Sequence, residues 1–202
     1  MERGRLFKFG GVAAGIVLIL FGIGSLAISI DAGMTVKDEL SAEKIVGSPD
    51  MSPEGIAPGV EEAGLEDVVE IPDCDVAEEE IDTGDEARCF SQYMRIHALE
   101  SSGGLTYAEM GRFVSADDPS DPAGTSDEAA ALKDEAGNPV ANAARNTWVT
   151  ETALSTALNM SYMASQISLF GVVVGIALVL AGIGFLILAL SVFKRRDQPA
   201  AL

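Results

Sequence analysis

Two uncharged apolar runs sit near opposite ends of the chain, and the polar positions gather between them. Phe9 to Ile30 holds no charged residue, nor does Thr152 to Phe193, whose most apolar part starts at Ile167. A spanning helix needs roughly 20 apolar residues, so each run is long enough. The pattern predicts a mainly α chain: an antiparallel two-helix transmembrane hairpin with a small helical, partly disordered extracytoplasmic domain inserted between the spans. The boundaries read as a tail over 1–8, a first span over 9–30, an acidic domain over 31–166, a second span over 167–193 and a tail over 194–202. A cleaved signal peptide is the competing reading of the first run, but its apolar stretch exceeds the roughly 7–15 residues of a signal core.

The two runs share a glycine pattern. Gly11, Gly15, Gly22 and Gly24 recur 160 positions later as Gly171, Gly175, Gly182 and Gly184. Residues 11, 15, 18, 22, 25 and 29 fall on one helical face, as do 171, 175, 178, 182, 185 and 189, and small residues at such spacing let membrane helices approach closely. Aligning the spans by depth sets Gly11 level with Ala189, Gly15 with Phe185, Leu18 with Gly182, Gly22 with Leu178, Ser25 with Gly175 and Ser29 with Gly171. The expectation is an antiparallel pair in which bulky side chains enter glycine notches. Gly22, Gly24 and Ala27 also match a dinucleotide fingerprint, an accident inside an apolar span with no preceding strand.

Between the spans the pattern is uneven. Thr35 to Ile45 reads as a short helix continuing the first span. From Gly47 to Glu86 the chain is rich in Gly, Pro, Asp and Glu, a composition that buries little against its ordering entropy. It reads as loop, with extended pieces at Lys44–Val46 and Val68–Ile71. Order returns near Asp85: Cys89, Tyr93 and Ile96 recur at helical spacing, and Ser101 to Gly104 stop that helix. Thr106 and Glu109 form a capping-box pattern opening a short helix to Phe113. Residues 115–137 read as a second acidic loop, with one helical turn over Ser126–Lys133. Asn138 and Pro139 are a helix start signal, so a stalk helix from about 139 should run unbroken into the second span. Its buried stripe would be Val140, Ala144, Trp148, Thr152 and Ala153, extended by Leu154 and Leu158.

Charge then fixes orientation. Arg3, Arg5 and Lys8 precede the first span, and Lys194, Arg195 and Arg196 follow the second. Basic flanks stay on the cytoplasmic side, which places both termini there, in a plasma membrane, and exports the centre. Of the chain's 31 acids and 13 bases, 29 and seven fall in the exported segment, leaving it near −22. Such a segment should repel nucleic acid and anionic headgroups, while weak attraction of divalent cations, a basic partner or a high-salt milieu stays open.

Candidate chemistry is sparse. Cys74 and Cys89 are the only cysteines, and an even count in an exported segment favours one structural disulfide. An EF-hand frame from Asp73 keeps Asp75 but fails at Ala77 and Glu78. His97 is the sole histidine, so neither a two-His-one-carboxylate iron centre nor an ordinary zinc site can be assembled. No nucleophile elbow, zincin, C-x-x-C or P-loop motif occurs. Neither span carries an ionisable group at depth, which argues against transport. No cofactor, catalytic or metal-ligating set is expected.

One resemblance bears on the architecture. Ile96-His97-Ala98-Leu99-Glu100 with Gly103-Gly104, then Thr106 to Arg112, and Asn142 to Thr150 running through Ala153-Leu154 to Ala157-Leu158-Asn159, resemble small actinobacterial membrane proteins commonly labelled aromatic ring-opening dioxygenase. The resemblance implies two spans and an exported domain. The label implies a metal sphere whose ligands this chain does not possess, so the resemblance carries architecture and not activity. The expectation is a non-enzymatic membrane interaction protein, an accessory or assembly subunit working with another membrane protein or itself. The alternative is an envelope sensor of divalent cations or ionic strength.

Overall fold

The computed structural model describes residues 2–194. Four helices follow in order: α1 Glu2–Glu43, α2 Pro53–Glu62, α3 Gly84–Ser101 and α4 Ala143–Lys194. Among the described residues extended segments meet only in isolated bridges, and no strand forms. The molecule is therefore mainly helical. It divides into two compact units, Met1–Val36 with Ala164–Leu202, and Lys37–Met163. α1 and α4 are long and apolar enough to cross a membrane over Leu6–Glu43 and Ala143–Ser191.

In the Lys37–Met163 unit the expected loop over 47–86 is folded. Ser52 caps α2, its Oγ accepting from the Gly55 N–H at 3.0 Å, with Pro53 at the first helical position. Ile56 and Val60, one turn apart, are each only 2% exposed. Met51, Leu65, Val76 and Ile81, spread along the segment, are buried too. The mean composition is polar, yet most of its sparse large apolar residues point inward, Val68 being exposed, and position outweighs average. Of the expected extended pieces, Val46 pairs with Glu80, while Val68–Ile71 makes no bridge.

α3 begins with a capping box. Thr83 Oγ1 accepts from the Glu86 N–H, and the Glu86 carboxylate accepts from the Thr83 N–H. Ala87, Phe90, Tyr93, Ile96 and Leu99 then bury one face, the packing that makes an 18-residue helix stable in water.

The segment after α3 departs from expectation at several points. Glu109 accepts from both the N–H and the hydroxyl of Thr106, but the chain only turns there, and no helix reaches Phe113. Residues 126–133 hold no helical turn. Backbone bonds instead form a ring of three: Val114 N–H to Val140, Val140 N–H to Leu132, and Leu132 N–H to Val114, each at 2.9 Å. That ring occupies Val140, so Asn138 and Pro139 do not start α4. Asn142 caps it, its Oδ1 accepting from the Ala144 and Arg145 N–H groups. Its Nδ2 donates to the carbonyls of Gly111 and Pro122.

Within the outer part of α4, Trp148, Glu151 and Leu158 are buried, whereas Thr152 and Ala153, expected on the inner stripe, are exposed. The inner face follows 148, 151, 155 and 158. Trp148 anchors it, its indole N–H donating to the Leu105 carbonyl at 2.7 Å and lying 3.2 Å from Ser102 Oγ.

Candidate functional site

The glycine faces meet each other within the first unit. A methyl group placed on Gly15 would lie 2.8 Å from the Gly182 carbonyl oxygen, and one on Gly182 would lie 2.7 Å from the Gly15 carbonyl oxygen. Gly22 and Gly175 repeat the relationship at 2.7 and 2.9 Å. These separations fall well inside the roughly 3.5 Å at which carbon contacts become favourable. The backbones touch because no side chain stands between them.

Bulky side chains do enter the notches, but not those expected. Leu186 fills the space beside Gly15, Val179 that beside Gly22, Ile19 that beside Gly182 and Leu26 that beside Gly175. Phe185 is exposed, and neither Leu18 nor Leu178 is among the nearest atoms to any seam glycine. The correction is one residue in each case. Side chains on a helix lean toward its N-terminus, so a given surface spot is covered by a residue about one position further along. Aligning Cα depths alone overlooks this tilt. At the seam's ends, Gly11 does meet Ala189, and Gly171 meets Ser29.

The seam has an internal two-fold. Gly15 touches Gly182 and Leu186, and the 160-residue offset converts this set into Gly175 with Gly22 and Leu26, the set observed. Among the described residues, two polar contacts of the seam gather at one end. There Ser25 Oγ donates to the Gly171 carbonyl at 2.8 Å, and Ser168 Oγ donates to the Ser29 carbonyl at 2.6 Å.

Arg3, Arg5 and Lys8 lie on the first turns of α1 and Lys194 closes α4. Arg195 and Arg196 lie outside the described residues.

In the other unit Cys74 and Cys89 are joined by a disulfide, with Cα atoms 6.1 Å apart. It ties the segment before α3 to the first turns of α3. Tyr93, one helical turn on, donates its hydroxyl to the Cys74 carbonyl at 2.6 Å and is fully buried. Burial, reinforced by the charges of Asp75, Glu54 and Asp73, raises the phenol above its ordinary pKa.

Comparison with protein-family models, curated proteins and solved structures gave no match.

One arrangement in this unit was not read from the sequence. Arg88 stacks over the Tyr162 ring at 4.7 Å and Arg95 over Trp148 at 5.1 Å. Both line a groove of about 510 Å³ between α3 and the outer part of α4, together with Ser91, Glu151, Ser155 and Asn159. Glu151 is 6% exposed and accepts from Ser155 Oγ at 2.8 Å. The signal was present but unread: residues 87–99 and 136–166 hold Arg88, Arg95 and Arg145 against a single acid, Glu151. The negative charge of the segment is concentrated elsewhere.

His97 lies on α3 with Nδ1 2.9 Å from Glu100 and Nε2 3.6 Å from Asp50. Among the described residues no three His, Cys, Asp or Glu side chains converge as a metal site. Many acids instead accept hydrogen bonds from their own turns: Asp118 from Ser120, Asp121 from Ala123, Asp127 from Ala129, and Asp134 from Ala136 and Asn138. The bonds to Ser120 and Asn138 hold the carboxyls of Asp118 and Asp134 below their ordinary pKa, and those to Thr106 do the same for Glu109.

Proposed function

We propose that the chain is a non-enzymatic, two-span integral membrane protein of the plasma membrane. Both termini are cytoplasmic, and the Lys37–Met163 unit is displayed outside the cell as an accessory or assembly subunit of a larger membrane complex. Leu20, Phe21, Phe170 and Leu180 are 63%, 69%, 68% and 64% exposed, and lipid is the solvent that suits such a surface. The basic flanks of both runs support the orientation. The Cys74–Cys89 disulfide supports an oxidising location for the domain. The shared architecture with the small actinobacterial membrane proteins belongs to the same proposal.

The glycine seam closes the hairpin on itself and leaves the interaction role to the exported unit. Gly15, Gly22, Gly175 and Gly182 are filled from within the chain, so the hairpin completes itself without a partner helix. Recognition then passes to the exported unit, and the partner is another membrane protein or a second copy. Purification from native-level expression in mild detergent at low salt, with mass spectrometry of co-migrating proteins, tests this. A stoichiometric companion or a homo-oligomer is expected; a lone monomer contradicts it.

A further inference from the structure

The Lys37–Met163 unit carries two surfaces of opposite charge that its own ion pairs leave alone. Among the described residues those pairs join Lys37 to Asp82, and His97 to Asp50 and Glu100. None engages Arg88 or Arg95, which lie on the rings of Tyr162 and Trp148. Stacking leaves the edge of a guanidinium free to donate, and that edge fits the two oxygens of a carboxylate. The two arginines stand two helical turns apart on α3, on the order of 10 Å, and line one groove with Met160 and Met163. Those methionines are 55% and 51% exposed, and methionine adapts readily to an apolar partner. The groove therefore suits carboxylates that flank an apolar side chain.

The turn after α2 displays such a set. Glu66, Asp67, Val68 and Glu70 are exposed. The Val68 N–H closes the turn on the Leu65 carbonyl at 2.8 Å, and buried Leu65 anchors it. Glu66, Asp67 and Glu70 make no ion pair or side-chain hydrogen bond among the described residues. Asp118, Asp121, Asp127 and Asp134, by contrast, already accept from their own turns. The exposed large apolar side chains of this unit are Val46, Val68, Tyr107, Val149, Met160 and Met163. Of these, Val68 alone has acids within two positions on both sides.

We propose that the arginine groove of one copy receives the 66–70 turn of a second copy. Arg88 and Arg95 take its carboxylates, and Val68 lies against Met160 and Met163. The second copy is favoured over an unrelated acidic protein because this chain itself displays the complement, both in charge and in its apolar residue. Acids outnumber bases in the unit, so two copies repel at long range. At physiological ionic strength, however, exposed charges more than about 8 Å apart are largely screened, and the contacts at the groove decide. The proposal rests on the reading of this unit as the recognition surface, and selects one of the two partners that reading leaves open.

The test uses the full chain in native membranes, expressed as two differently tagged copies. One carries Val68→Cys and the other Met160→Cys. Mild oxidation should link them into a heterodimer that reductant releases. Arg88→Glu in the Met160→Cys copy should cut the link about tenfold, through like-charge repulsion at the contact. Lys44→Glu should leave it unchanged. Glu66→Arg with Glu70→Arg in the Val68→Cys copy should restore what Arg88→Glu removes. Emission from Trp148, the only tryptophan, checks that the Arg88→Glu copy is folded. No heterodimer in the parent pair, or equal loss with Arg88→Glu and Lys44→Glu, overturns the proposal. The parent pair is decisive by itself, so a variant that fails to fold leaves the test intact. A link from Met160→Cys to a different protein overturns the second copy and leaves the accessory-subunit reading standing. A lone monomer removes both.

Discussion

Gly15 and Gly182 are in backbone contact, each occupying space that a methyl group on the other's helix would need. The relationship is reciprocal, and Gly22 with Gly175 repeats it. Such a seam tolerates neither added bulk nor a change of register.

The first prediction concerns that seam. Paired cysteines at Gly11 and Ala189 should crosslink in membranes, since a methyl group on Gly11 would sit 3.1 Å from Ala189 Cβ, near the spacing a disulfide spans. Adding Gly182→Leu should abolish most of that crosslink. Gly24→Leu and Gly184→Leu should leave it intact, because nothing lies within 4 Å of either position. Equal crosslinking in all backgrounds would refute the seam.

A second prediction concerns the disulfide. Cys89→Ser should destabilise the domain by about 3 kcal/mol, the chain-entropy figure for a loop near 15 residues. Chemical denaturation of the purified protein, followed by Trp148 fluorescence, measures it. The reductant-treated wild type should match the variant, and an unchanged midpoint in both would show that the buried Tyr93 contact suffices alone.

Acid should loosen the turn-rich segment. Asp118, Asp134 and Glu109 have pKa values held below those of the unfolded chain. Their contribution is therefore full above the ordinary carboxylate range near 4 and is lost as pH falls through the lower folded values. Asp134→Ala should flatten this acid-side dependence while leaving neutral-pH fluorescence alike. Stability that rises on acidification would contradict the assignment of these bonds.

The same carboxylates bear on cation sensing. With Asp118, Asp121, Asp127 and Asp134 already accepting from their own turns, millimolar calcium should leave the circular dichroism of the domain unchanged. A saturable change would restore the sensor alternative.

What could be read from sequence follows the strength of each local signal. The long apolar runs and the α3 periodicity of Cys89, Tyr93 and Ile96 are dense and regular, so the helices that contain them were legible. α2 was not, because Ile56 and Val60 are two apolar residues within an acidic, glycine-bearing stretch and become a face only when α3 lies against them. Asn138-Pro139 carried a stronger start signal than Asn142, yet the bonds of Val140 to Val114 and Leu132 override it. The seam was visible as a glycine pattern, but side-chain tilt moved each filling residue by one. The arginine groove needed two distant segments side by side, which no single window contains.

The account stands or falls on where residues 37–163 reside. Ala136→Cys, on an exposed turn, offers a thiol distinct from the paired native cysteines, and Gln198→Cys offers one in the C-terminal tail. In intact cells a membrane-impermeant maleimide should label the first and reach the second only after lysis. Labelling of Gln198→Cys in intact cells with Ala136→Cys protected would invert the topology and contradict the account.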